Sequence, residues 1–331
     1  MYTKRNYGFW MTFNWSKMPF LYGLALALGI HFFCHWTGID IALPWQPVSV
    51  IGIAVAFYLG FKNNSSYDRT WEARKIWGSI VNNSRTFGAA VVAFIQSADE
   101  LKNAALKKEM IYRHIAWMTA LRYQLRLSRS WEHTEDRVKG LYIPTICEAY
   151  FEQLDEELMA FIPEEEFQQY KPKTNIATQI LRKQSERLQQ LCNEKYYDDF
   201  RHMELHQLIR SFYEDQGKSE RIKNFPFPRQ YASVAYWLSL VFCILVPLAL
   251  YDIFAETESL LYWLWPLFSA LITWIFFLME KIGDYSENPF EGTYNDVPIT
   301  AIARGIEIDI REMIDDTGIP GGIKDIDGFL M

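Results

Sequence analysis

The sequence lacks the short signatures by which most enzymes announce their chemistry. It contains no Gly-rich phosphate loop, no GxSxG elbow, no HExxH pair and no calcium-loop spacing, so its local motifs point to none of those reactions. Cysteine is sparse. Cys34, Cys147, Cys192 and Cys243 lie far apart with no CxxC, which argues against a disulfide framework or a zinc site and leaves ordinary reduced thiols. A basic excess is missing too: the formal net charge of -7 argues against a nucleic-acid partner, which needs a positive surface. There is no internal repeat and no low-complexity segment. No cleavable leader is expected either, because a long aromatic and polar segment precedes Phe20 and no small-residue cleavage pattern follows the first apolar run.

What is present in excess is hydrocarbon. Half of the 331 residues are hydrophobic and 16% are aromatic, and they collect near the two ends of the chain. Phe20 to Trp36, Val48 to Phe61, Tyr231 to Tyr251 and Leu260 to Met279 carry no formal charge. A membrane span needs about 20 apolar residues. The last two runs meet that length outright, and the first two reach it by extension through interfacial neighbours such as Trp15 and Trp45. The expected fold is therefore all-α: four transmembrane helices in two hairpins, with a helical water-exposed region between them. The expected divisions are residues 1–62 (N-terminal segment and the first two spans), 63–228 (helical region), 229–281 (the last two spans) and 282–331 (a C-terminal helix and tail).

Lys and Arg placement sets the orientation. Lys4, Arg5, Lys17, Lys281 and many residues of the middle region are basic, whereas the connectors Thr37 to Gln46 and Asp252 to Ser259 have no Lys or Arg. Both termini and the middle region are thus expected in the cytosol, with the chain in the cell's inner (plasma) membrane. In the middle region Ser84 to Ile95, Ile111 to Leu127 and Ile176 to Leu191 show apolar residues three and four apart, which predicts helices. Pro163, the Lys171-Pro172-Lys173 stretch and the Phe225 to Pro228 run predict breaks.

Two histidine pairs have metal-ligand spacing on a helix, His31 with His35 and His202 with His206. Neither has a third ligand at motif spacing, so a redox or metal role stands as an alternative to hydrogen bonding between helices. No cofactor is expected. Asp99 and Glu100, Asp155 to Glu157, and Glu164 to Glu166 read as solvated helix faces or ends. After Asn295 and Asp296, which suit an N-cap, Ile299, Ile302, Ile306, Ile310, Met313 and Ile314 follow helical spacing.

The stretch VSVIGIAVAFYLGFKNNSSYDRTWEAR, starting at Val48, is the most informative. Ile53, Phe57 and Phe61 recur every four residues and form one stripe on a helix. Beside them Gly52, Ala56 and Gly60 make a small-residue ladder that allows close helix approach in a membrane. The stripe could meet lipid or another span. Alternatively, since two hairpins make a thin wall with little interior, several copies around an axis would supply its neighbours.

The residues also carry a resemblance. FYLGFKNNSSYDRTWEARKIWG (Phe57 to Gly78), SERIKNFPFP (Ser219 to Pro228) and ENPFEGTYNDVPITAIARGIEIDI (Glu287 to Ile310) resemble, in order, three signature segments of the bacterial bestrophin family. The resemblance implies a homopentameric ion channel in the lipid bilayer, with the second span of each subunit lining a central pore. It places the pore neck at Ile53, Phe57 and Phe61, a cytosolic constriction at Phe200, and a C-terminal tail that wraps neighbouring subunits. Eukaryotic relatives bind calcium after NPF with consecutive acidic residues. Here Glu291, Gly292, Thr293, Tyr294, Asn295 and Asp296 offer few carboxylates to a hard cation, so no metal is expected. Thr70 also replaces an aromatic residue of the family pattern.

A ring of apolar side chains would gate by steric closure and dewetting, and aromatic edges would favour a partly dehydrated anion. Asp40, Asp252, Glu256 and Glu258 would make an outer mouth that attracts cations. The expectation is a channel for small monovalent ions, chloride or other anions first. The alternatives are a cation channel of the same architecture, a membrane redox protein using His31 and His35, or a non-conducting scaffold.

Overall fold

The computed structural model describes residues 1–133, 153–254 and 260–331, and all regular structure among them is helical apart from isolated bridges at the chain ends. Four of these helices are long and apolar enough to cross a membrane: α1 (Phe9–Thr37), α2 (Trp45–Phe94), α8 (Arg229–Phe254) and α9 (Leu264–Asp284). The chain is a multi-pass membrane protein. The remaining α-helices among the described residues are α3 (Glu100–Arg126), α4 (Leu154–Met159), α5 (Glu164–Tyr170), α6 (Ile176–Asn193), α7 (Asp199–Asn224) and α10 (Ile299–Glu312), and a short 3-10 helix, Leu260–Trp263, precedes α9.

Local chemistry explains most boundaries. Gly38 ends α1 in the left-handed region at φ 68° and returns its N–H to the Cys34 carbonyl. Nothing comparable interrupts α2, which runs 50 residues from the second apolar run straight through Asn63 and Asn64 into the charged sequence. Asp99, Asn175 and Asp198 accept backbone N–H groups at the starts of α3, α6 and α7. Pro163 precedes α5, and α7 stops at the Phe225 to Pro228 run.

The chain divides into two compact units. One comprises Lys4–Arg69 and Pro226–Asn288, and the other Met1–Thr3, Thr70–Phe225 and Pro289–Met331. In the first, small residues let spans approach: a Cβ at Gly23 of α1 would lie 2.9 Å from Thr273 of α9, and one at Gly52 of α2 would lie 2.7 Å from the Phe242 ring of α8. Of the two glycines in the small-residue ladder only Gly52 is used this way, because a Cβ at Gly60 would meet nothing within 4 Å.

The second unit has a continuous apolar core in which α3 is central. Trp77 and Phe87 of α2, Trp117 of α3 and Phe212 of α7 are fully buried there. The acidic runs do more than cover its surface. Glu166 takes two hydrogen bonds from Arg113, at 2.9 and 2.8 Å, and Glu157 takes the Tyr123 hydroxyl at 2.9 Å and pairs with Arg122. Buried arginines on α3 need carboxylate partners, and the first turns of α4 and α5 supply them. Asn295 and Asp296 do not cap α10, whose N-cap is Pro298; Asp296 has a different task, described below. The chain ends meet in this unit: Thr3 N–H donates to the Gly328 carbonyl at 2.8 Å and Leu330 N–H to the Met1 carbonyl at 2.8 Å.

His114 is sealed among Phe87, Trp117 and Phe212, with Nε2 2.9 Å from the Ser84 hydroxyl. Burial alone pushes its pKa down to about 3. The neutral ring is favoured on folding, so its contribution is intact above the unfolded-state value near 6.5 and shrinks as pH falls below it, when only the unfolded chain takes up the proton. The expected slope is about 1.4 kcal/mol per pH unit between roughly pH 6 and 4. His114→Phe removes that slope. Thermal midpoints of both proteins across this range test it, and parallel pH dependences would refute it.

Candidate functional site

On α2 the buried residues Val55, Leu59, Lys62 and Ser66 recur three and four apart and define the face turned into the subunit. Ile53, Phe57 and Phe61 lie on the opposite side, 71, 68 and 58% exposed. They form one apolar stripe without a cover in the subunit, in the part of the helix that crosses the membrane. The Phe57 and Phe61 rings meet edge to face, 4.6 Å apart at 84°. Toward the Lys62 end the stripe turns polar, with Asn64, Ser65 and Asp68 exposed.

The stripe is held from behind. The Lys62 side chain, 1% exposed, reaches Glu280 of α9 at 2.8 Å and Asp284 at 3.8 Å. Next to it Asn63 presses on α9 where Gly283 leaves room: a Cβ there would overlap Asn63 Oδ1. Further along, Arg69 Nε donates to the Glu287 carbonyl at 2.7 Å and Arg229 to the Glu287 carboxylate at 2.5 Å. Burial first, and then Asp284, raise the Glu287 carboxyl above its ordinary value against the pull of Arg229 and Lys62. The two sequence segments around Arg69 and Glu287 are therefore one joint. Sequence reasoning missed the Lys62–Glu280 pair, because a charge at the end of an apolar run reads as an interfacial residue; the available signal was that both runs end in such a charge.

The 290–297 loop belongs to the other unit. Phe290 and Gly292 take positive φ, 74° and 91°, and the loop closes on Asp296, whose carboxylate accepts Phe290, Gly292 and Val297 N–H at 2.7, 2.7 and 2.6 Å. Arg126 pairs with the same carboxylate. Buried Glu291 is engaged by His133, 3.1 Å away through Nδ1. A guanidinium and three backbone amides thus take up the Asp296 carboxylate, which leaves that side chain little to offer a hard cation.

Other sequence-derived candidates fall elsewhere. Phe200, the second residue of α7, is 85% exposed and lies in the other unit from the stripe. His31 hydrogen bonds through Nδ1 to the Tyr262 hydroxyl at 2.9 Å and stacks on His35, a structural use that leaves one ring nitrogen engaged. His202 lies 6.0 Å from His206, ring to ring. No group of three or more His, Cys, Asp or Glu side chains converges among the described residues. Asp40 is exposed and accepts the Ala42 N–H at 2.9 Å, and Asp252 is exposed. Cys34, Cys192 and Cys243 are free and buried. Glu256, Glu258 and Cys147 lie outside the described residues.

Comparison with known proteins agrees with this layout. A family described as Bacterial/Fungal Bestrophin protein matches residues 17–312. The voltage-dependent anion channel-forming protein YneE of Escherichia coli K12 is 28% identical over 92% of this chain and 88% of its own length. The voltage-dependent anion channel-forming protein RSc3414 of Ralstonia nicotianae is 27% identical over 87% of this chain and 83% of its own. A crystal structure of a single-residue variant of a bacterial bestrophin homolog from Klebsiella pneumoniae shares the fold, with a TM-score of 0.76 at 21% identity, over 94% of this chain and 100% of the other. With a family match over most of its length, the chain belongs to the bacterial and fungal bestrophin family.

Proposed function

We propose that this protein is a subunit of a homopentameric channel for small monovalent anions, chloride among them, in the cell's inner membrane. The observation that carries the reading is the uncovered apolar stripe of Ile53, Phe57 and Phe61, backed by a buried Lys62–Glu280 pair on the opposite side of the same helix. Five copies arranged with these stripes inward give the stripe its neighbours and form a neck.

Such a neck excludes ions by dewetting, since an ion leaving water for an apolar ring loses hydration with no polar replacement. Passage requires widening. The edge of an aromatic ring is electropositive, so Phe57 and Phe61 turned edge-on favour a partly dehydrated anion. The names of the relatives support an anion. Phe200 forms a second constriction in this reading. Residues 1–62 and 229–281 make the membrane portion, residues 63–228 and 282–331 the cytosolic portion, both termini are cytosolic, and the tail braces neighbouring subunits.

A second reading keeps the architecture and reverses the selectivity, and Asp40 and Asp252 favour it. Reversal potentials in planar bilayers under asymmetric salt decide between them: a shift toward the chloride equilibrium potential supports the anion channel, a shift toward that of the cation supports the alternative, and absence of current with a monomeric mass in mild detergent overturns both. Asp40→Asn removes an exposed charge, so the expected change in conductance is confined to low salt, where screening is weak. An equal change in high salt would count against a mouth role for Asp40.

A further inference from the structure

A cavity of about 340 Å³ opens on the membrane-spanning surface between α1, α8 and α9. Its walls are Tyr22 and Leu26 of α1, Tyr236, Leu240 and Ile244 of α8, and Phe277 of α9. It contains no charged side chain. Its volume lies at the small end of the range for small-molecule sites.

Among the polar groups of the lining, the Tyr22 and Tyr236 hydroxyls, the Cys243 thiol and the Thr273 hydroxyl, the last is the most deeply buried oxygen. Thr273 of α9 lines the cavity, is 4% exposed, and its hydroxyl oxygen makes no hydrogen bond among the described residues. The Cys243 thiol beside it is a weak partner at best. A buried hydroxyl without a partner is costly in hydrocarbon, and each such group calls for an explanation. Water is a poor one, because a trapped water needs two to four polar partners and, besides the thiol, the lining offers only the hydroxyls of Tyr22 and Tyr236, on residues 66 and 44% exposed.

Depth narrows the choice further. Thr273 precedes Asp284, the last residue of α9, by three helical turns, about 16 Å. The hydrocarbon core is about 30 Å thick, so the hydroxyl lies near its middle. A phospholipid chain brings no hydrogen-bonding atom to that depth. A small molecule with one polar group does.

We propose that this cavity binds a small neutral amphiphile dissolved in the bilayer, its apolar body against α1 and α8 and its single polar group on the Thr273 hydroxyl. Binding stands apart from the channel reading. A functional consequence rests on it: Phe242, the residue before Cys243 on α8, packs on Gly52, next to Ile53 of the stripe, so an occupant that displaces α8 displaces the neck.

The test uses the full-length protein in lipid nanodiscs with a diazirine-bearing octanol as probe, and peptide mass spectrometry to locate the label. The expected result is saturable labelling of the segments containing Tyr22 and Tyr236, displaced by unlabelled octanol. Thr273→Val removes one hydrogen bond while keeping the side-chain shape, and weakens apparent affinity about fivefold. Ile244→Trp fills the cavity and abolishes saturable labelling, and Thr273→Val carries the test alone should that variant fail to fold. Labelling that does not saturate, spreads evenly over the lipid-facing helices, or is unchanged in Thr273→Val overturns the site. Octanol-dependent ion flux in the parent that is lost in Thr273→Val supports the coupling to the neck. Saturable labelling in a protein that passes no ions keeps the site and overturns the channel reading.

Discussion

Replacing Ile53, Phe57 and Phe61 together by Ala raises ion flux on the order of tenfold or more, with little loss of folded stability. Each side chain is more than half exposed in the subunit, so truncation removes little packed area and costs less than a core deletion would. In the channel reading proposed above, what it removes is the dry constriction. A tenfold change in flux corresponds to about 1.4 kcal/mol of barrier, a small fraction of the hydration free energy an ion gives up in an apolar ring. With the aromatic edges gone, the anion preference proposed for them is expected to weaken as well. The contrast comes from the other face of the same helix: Leu59, fully buried, costs about 2–5 kcal/mol when cut to Ala and leaves the constriction in place. Liposome flux and thermal midpoints of the two variants give the answer. Equal flux in the parent and the triple variant places the pore elsewhere and returns the stripe to a packing role.

Lys62→Met is expected to destabilise the membrane portion by about 3–5 kcal/mol, because the buried Glu280 carboxylate loses the Lys62 ammonium. The geometry justifies the larger figure: the two side chains are 1 and 11% exposed and 2.8 Å apart, so solvent screens them little. The double variant Lys62→Met with Glu280→Met removes both charges and regains most of the loss, since apolar replacements of a buried pair are often neutral. Function should not recover with it. The pair fixes the helix face opposite Phe61 to α9, and without it the proposed neck is free to rotate or part, so the double variant is expected to leak. Gly283→Ala probes the same contact by steric means, forcing α2 and α9 apart where Asn63 presses on Gly283. Melting curves in detergent with flux from the same preparations check all three. A double variant as unstable as Lys62→Met, or as tight as the parent, contradicts the anchor.

Much of this molecule could be read from the linear chain. The four spans were legible because hydrocarbon continuity is a one-dimensional property, and the two longest uncharged runs correspond to α8 and α9. The break at Phe225 to Pro228 was legible because proline acts locally. The sequence reading divides the chain after residue 62, whereas α2 runs on to Phe94, because no proline stands between Val48 and that point to stop it. The breakdown came at residues whose task depends on a distant partner. Asp296 has the chemistry of an N-cap and stands three residues before α10, yet it closes a loop and holds Arg126, 170 positions away. Glu157 and Glu166 look like solvated acids because the arginines they meet lie on a helix tens of residues earlier.

The sequence by itself determined that this is an all-helical membrane protein, that Ile53, Phe57 and Phe61 share a face, and that three signature segments occur in order, because composition, helical period and motif spacing are properties of neighbours along the chain. Only the tertiary structure decided which side of α2 is spoken for. Lys62 and Glu280 come together across 218 positions because a charge at the end of an apolar helix is too costly to bury alone. Their pairing turns one face of α2 inward and leaves the opposite stripe without a partner in the subunit. Gly60 stayed untouched while Gly52 took the Phe242 ring, a difference the regular spacing of the ladder could not express, since small residues permit close approach and the position of the neighbouring helix determines where it happens.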